Sequence, residues 1–143
     1  MPVISQDSTS PCPCGRTDIR SRPLAYAACC GRYLDRFADA PAPDAESLMR
    51  SRYTAFAQGR AEYLLATWHA SRRPAALELD AGTRYLGLEV RSRHQRDATH
   101  AEVEFVARQR DAGGRAYRLH ECSRFLHEDG RWFYVDGELE PAR

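Results

Sequence analysis

The sequence contains no lysine and no asparagine. It has only two Ile, two Met and two Trp in 143 residues. The lack of Lys excludes Schiff-base chemistry and leaves Arg, with 21 copies, as the sole permanent cation. Bulky aliphatic and phenylalanine side chains are scarce: Leu, Ile, Val and Phe number 24, while Ala alone numbers 21. No run approaches the ~18 apolar residues of a membrane helix. The first ten residues, MPVISQDSTS, show neither a basic start nor an apolar stretch, so no secretory leader and a reducing cytoplasmic setting are expected. The net charge of +1 excludes a strongly polyanionic or polycationic role. The length is that of one ordinary domain.

Against this poverty, four of the five Cys crowd into residues 12–34, as Cys12-Pro13-Cys14-Gly15 and Cys29-Cys30-Gly31. Large apolar residues there are few (Ile19, Leu24, Tyr26, Tyr33, Leu34), and below roughly 40 residues a metal or a disulfide usually substitutes for a core. Four thiolates suit a tetrahedral Zn²⁺, because soft sulfur favours it over hard cations. Gly15 and Gly31 would let the chain turn after each pair. With four ligands no position is left for water, so the ion would be structural. The competing readings are a Cys12–Cys14 redox disulfide, a vicinal Cys29–Cys30 disulfide, or idle thiols; a reducing compartment disfavours both disulfides.

The chain divides into a disordered tail (1–11), the cysteine segment (12–34), an Ala/Pro linker (35–43) and a main domain (44–143). Asp44 is a good N-cap and Gly59 a good stop for a helix whose Leu48, Met49, Tyr53 and Phe56 share a face. A second helix, about 61–69, carries Leu64, Leu65 and Trp68, and Pro74 ends the helical hairpin. From Thr83 the period becomes two. Leu86, Leu88 and Val90 alternate with Tyr85, Gly87 and Glu89; Val103 and Phe105 follow; Tyr117, Leu119 and Phe125 are in phase; Trp132–Val135 comes last. Asp111–Gly114 and Glu128–Gly130 suit hairpin turns. Helices followed by three or four antiparallel strands predict an α+β domain, its sheet curling round the hairpin.

CPCG with CCG resembles the SEC-C motif. With AESLMRSRYTAF, YLLATWH, ECSRF and GRWFYVDG in order, the chain resembles the YchJ family of small bacterial proteins from Cys12 to Gly137. That resemblance implies one structural zinc on Cys12, Cys14, Cys29 and Cys30. It also implies a nuclear transport factor 2-like cone, a curved sheet wrapped round a few helices. The gap between the Cys pairs, Gly15 to Ala28, is longer than the motif usually has, and only Gly15 of its usual glycine-rich turn is present.

Other candidates carry milder readings. Arg50, Arg52, Arg72, Arg73, Arg91, Arg93, His94 and Arg96 would form an anion-binding patch if they converged; a solvated face is the favoured reading. Tyr26 and Tyr33 could stack on bases, yet no recognised nucleic-acid motif accompanies them. Tyr53, His69, Glu121 and Arg124 are the polar residues expected around a cone pocket. Glu121, in phase with Leu119 and Phe125, is expected either to work with His69 as an acid–base pair or to pair with Arg50 or Arg52. His69 is otherwise expected to serve the helix C-terminus. Lone Cys122 reads as a packing residue. The leading functional expectation is a zinc-stabilised module for a protein or RNA partner, without membrane insertion or specific DNA binding. The alternative is a small-ligand receptor or enzyme using the pocket, and a homodimer is compatible with either. A third reading makes zinc only a staple for the N-terminus.

Overall fold

The computed structural model describes residues 7–140. Of the tail expected to be disordered, residues 1–6 lie outside the described residues. Residues 7–11 are tied down instead, with Ser8 and Ser10 carbonyls accepting from Ala27 and Tyr26 N–H groups. After a 3₁₀ turn (Tyr26–Ala28) come α1 (Gly31–Leu34), α2 (Ala45–Gln58) and α3 (Ala61–Ala66). Strands β1 (Arg84–Gln95), β2 (His100–Arg110), β3 (Ala116–Glu128) and β4 (Arg131–Leu139) follow as an antiparallel meander in the order β1-β2-β3-β4. This is the expected α+β architecture. Among the described residues no helix is long and apolar enough to cross a membrane.

Helix α2 begins where the Asp44 carboxylate accepts the Ser47 N–H at 2.7 Å, and stops at Gly59, whose φ of 74° is left-handed. It is buried nearly all round, since the N-terminal segment covers one side and the sheet the other. Helix α3 is shorter than expected. It ends at Ala66, where the Thr67 hydroxyl donates to the Tyr63 carbonyl at 2.7 Å. Residues 67–69 then run beside β4: Tyr134 N–H donates to Thr67 O, and His69 N–H to Tyr134 O. Trp68 and His69 are therefore extended, not helical, and Leu64 with Tyr63 forms the buried side in place of Leu65.

The sheet corrects one phase. A register shift lies between Tyr85 and Gly87, leaving Leu86 as an extra residue. Leu86 is 48 % exposed, while Tyr85, Leu88 and Val90 pack on the core. The bulge thus turns Tyr85 inward and Leu86 outward. In β2, Ala101, Val103, Phe105 and Ala107 face the core, as the alternation implies. At the β3–β4 turn, Asp129 and Gly130 both have positive φ (52° and 82°), as a tight two-residue hairpin requires.

Candidate functional site

The cysteine segment closes on itself despite its long gap. Residues 16–24 leave and return as a small hairpin, with Thr17 bridged to Pro23 and Pro11 to Ala25. Asp18 organises its tip by accepting the Arg20 and Arg22 N–H groups. The fourteen residues between the pairs are thereby excluded from the spacing of the sulfurs. One ligand atom from each of Cys12, Cys14, Cys29 and Cys30 lies within 4.8 Å of all the others, and every one of these residues is buried. Cys14 Sγ and Cys29 Sγ are 3.6 Å apart. A tetrahedron with Zn–S bonds of about 2.3 Å has S···S edges of about 3.8 Å. All the cysteines are free thiols, so neither expected disulfide alternative is formed.

The neighbouring thiols, Cys14 foremost, hold Cys12 far below the ordinary thiol range. Cys12 and Cys14, aided by burial, push Cys30 far above it. Bare sulfurs this close favour one thiolate among S–H donors; a divalent cation would let all four ionise. The donor set therefore fits a soft tetrahedral ion. Surrounding groups fix it: Thr54 Oγ1 lies 3.7 Å from Cys12 Sγ, and Arg50 donates to the Cys14 carbonyl at 3.0 Å while pairing with Glu46 at 2.8 Å. Gly15 has the left-handed φ (75°) its turn needs. Gly31 does not; it is small because Tyr26 packs where a Cβ would sit, at 2.8 Å.

On the opposite side of α2 the sheet and helices enclose a cavity of about 190 Å³. Its walls are mainly Met49, Phe56, Tyr85, Phe105, Leu119 and Phe125. Polar groups enter from Arg52, Tyr53, Gln109, Glu121 and Ser123. Arg52 is 6 % exposed. Its Nη1 donates to Leu64 O and Thr67 Oγ1, both at 2.7 Å, and its guanidinium lies over the rings of Tyr134 (4.5 Å) and Trp68 (5.4 Å). Burial lowers its pKa to about 10, which still leaves it charged at neutral pH. Glu121 accepts from Ser123 Oγ at 2.6 Å and from Tyr134 at 3.5 Å.

A family model described as YchJ, middle NTF2-like domain, matches residues 44–137. The chain belongs to the YchJ family. It is 68 % identical over 127 residues to a UPF0225 protein of Polaromonas sp. strain JS666, covering 89 % of this chain and 91 % of that one. A SEC-C motif containing protein from Rhodopseudomonas palustris superposes with a TM-score of 0.77 at 32 % identity, covering 92 % of this chain and all of that one. Another from Psychrobacter arcticus gives 0.75 at 30 % identity, covering 95 % and 86 %. This YchJ-family chain thus shares the fold of SEC-C motif proteins and carries a cysteine cluster able to hold a metal.

Within the YchJ fold the other sequence candidates are dispersed. Tyr53 and Glu121 line the cavity; His69 and Arg124 do not. His69 Nε2 meets Glu128 at 2.7 Å and its ring packs edge-on against Phe133, because the segment beside β4 carries it past Trp68. It cannot form an acid–base pair with Glu121, nor does it end a helix. Arg124 binds Asp136 at 2.6 Å across β3 and β4. Glu121 makes no salt bridge with Arg50 or Arg52 among the described residues. The arginines do not converge: Arg93 and Arg50 share Glu46, Arg91 takes Glu89, Arg96 takes Glu102 and Arg72 faces Asp136. Tyr26 and Tyr33 are buried and unavailable for stacking on bases. Cys122 is half-buried and free. Sequence reading offered Arg52 both to a basic surface and as a buried partner of Glu121. A signal against the first was present, since Arg52 lies four residues from both Leu48 and Phe56, on the helix's apolar stripe.

Proposed function

We propose that the protein is a zinc-stapled small-ligand-binding protein, with one structural Zn²⁺ held by Cys12, Cys14, Cys29 and Cys30 and the cone cavity as its working site. The observation that carries this is the position of the sulfurs. They are buried in the same core cluster as Leu48, Met49, Tyr53 and Leu64, so four thiolates would fill the ion's shell and present nothing outward. In this reading residues 12–34, although a SEC-C segment by sequence, are a staple, and 44–143 provide the cone. Segment 35–43 joins them, fastened where Phe37 packs against Tyr63 and Arg131 donates to the Phe37 carbonyl. A reducing cytoplasm would keep the thiols available to zinc. The test combines elemental analysis with a thermal-shift screen of small molecules. One zinc per chain, and hits abolished by the cavity-filling Ala107→Phe, are expected. No zinc in protein purified under reducing conditions would sink the staple, and hits indifferent to Ala107→Phe would sink the cavity.

A partner-binding reading, for a protein or RNA, is favoured by one feature of the hairpin between the Cys pairs. Ile19 at its tip is 102 % exposed, between Asp18 and Arg20, with Arg22 two residues beyond. Pull-downs with Ile19→Asp beside the wild type test it; equal recovery of partners would end it.

A further inference from the structure

The cavity contains polar groups whose bonding is incomplete, and these specify a ligand. Arg52 commits Nη1 to Leu64 and Thr67, but no described residue accepts from Nε or Nη2, and no carboxylate forms a salt bridge with it. Nε and Nη2 form the edge of a guanidinium that grips a carboxylate two-pronged. The plane of that fork is fixed by Tyr134 and Trp68. Glu121 acts on the guanidinium across the cavity without reaching salt-bridge distance, so the Nε/Nη2 edge is left without an acceptor and suits an anionic complement. Tyr53 also lines the cavity, but its hydroxyl has almost no accessible surface and sits by the Gly87 backbone N–H, away from a ligand.

Glu121 supplies an opposite requirement. Both bonds it receives fall on Oε2, leaving Oε1 without a donor among the described residues. Its place depends on Gly137 in the neighbouring strand, where a Cβ would lie 2.6 Å from Glu121 Cδ. The rest of the wall is aromatic or aliphatic. A dry apolar cavity of about 150 Å³ accepts benzene, so roughly 190 Å³ accommodates one ring with one or two small substituents.

We propose that the cavity binds a small aromatic carboxylic acid bearing a hydroxyl or amino group, its carboxylate on Arg52 and its donor on Glu121. A carboxylate alone would meet Glu121 as a like charge, and an amine alone would meet Arg52 so; a ring carrying an acid at one end and a donor at the other satisfies both. This rests on the cavity being the working site.

The probes are 4-hydroxybenzoate, 4-hydroxybenzamide and phenol, titrated into zinc-loaded full-length protein by calorimetry, with amide chemical shifts locating the contact. The acid should bind at least about tenfold tighter than the amide, as a bidentate charged contact allows. Shifts should fall on β3, β4 and α2. Because changing Arg52 endangers folding, the informative variant is Glu121→Gln. It keeps the size and removes the charge, should weaken the acid and phenol alike severalfold, and should leave the preference for acid over amide, set at Arg52, intact. Equal binding of acid and amide would overturn the acid class while leaving the cavity reading intact. Binding of none of the three would overturn both.

Discussion

If the proposed zinc is bound, its removal is the sharpest perturbation, because the sulfurs belong to the core that α2 shares with the sheet. Cys14 and Cys30 are 0 % and 1 % exposed, and Thr54 of α2 touches Cys12. Structural zinc supplies about 10–16 kcal/mol in zinc-finger peptides at neutral pH. Here part of that is replaced by Tyr26, Tyr33 and Leu34, which pack in the same cluster. Even a quarter, roughly 3 kcal/mol, is a large share of the ~5–15 kcal/mol stability of a domain. At about 2–8 °C per kcal/mol, the melting temperature should fall by roughly 6–24 °C. Cys30→Ser should reproduce the loss, since a hydroxyl in that buried position cannot serve as a thiolate. The assay is calorimetry on protein whose metal content is followed by elemental analysis, with and without chelator. One transition should persist, merely shifted, because a shared core melts cooperatively. An unchanged melting temperature after complete zinc removal would refute the staple. Two separate transitions would refute the shared core.

Other outcomes follow from particular contacts. Thr67→Val should destabilise by about 1–3 kcal/mol in urea unfolding, because buried Arg52 Nη1 loses one of its two acceptors. Leu86→Thr should stay within about 0.5 kcal/mol of wild type, the bulge having turned Leu86 outward; a loss above about 1.5 kcal/mol would show that Leu86 faces the core. Gly137→Ala should force Glu121 from its place at a cost of about 1–3 kcal/mol, and Glu121→Ala in the same chain should restore most of it; additive effects would refute the contact. Backbone N–H donation from Thr99, with the His100 side chain next, holds the Asp97 carboxyl at about 2 against its ordinary 3.8. Stabilisation by this group is therefore present above pH ~4 and lost as the pH falls through about 2. An NMR titration midpoint near 3.8 would contradict the turn geometry.

Much of this was written locally. Asp44 and Gly59 delimit α2 by cap chemistry that needs no tertiary partner, and the Asp-Gly turn at 129–130 requires only its own backbone angles. The four cysteines were legible by type, although their convergence depends on a hairpin whose bridges could not be read from spacing. What failed depends on distant partners. Tyr85 and Leu86 are adjacent and both apolar, so alternation could not say which one a bulge would turn inward. Trp68 and His69 continue a plausible helix, but β4 draws them into extended pairing, with the Trp68 indole donating to Val135 O at 3.2 Å. Glu121 was placed on the correct face, whereas its expected pairing with Arg52 was not formed: Arg52 turns Nη1 to the end of α3 and its plane onto two aromatic rings.

The two candidate sites meet in one helix. Ser47, Arg50 and Thr54, at helical spacing, face the cysteine segment through Arg16, the Cys14 carbonyl and Cys12 Sγ. Met49, Arg52, Tyr53 and Phe56, offset around the axis, line the cavity. A cavity withdraws packing contacts from the core around it, and this chain has few large aliphatic side chains with which to compensate. The helix above that cavity must nevertheless hold a buried guanidinium in one orientation. Fastening its far side to a tetrahedral metal cluster supplies stiffness without filling the cavity, which larger apolar residues on its inner side would do. On this argument the proposed metal and the proposed ligand site would belong to one design, the first allowing α2 to support the second.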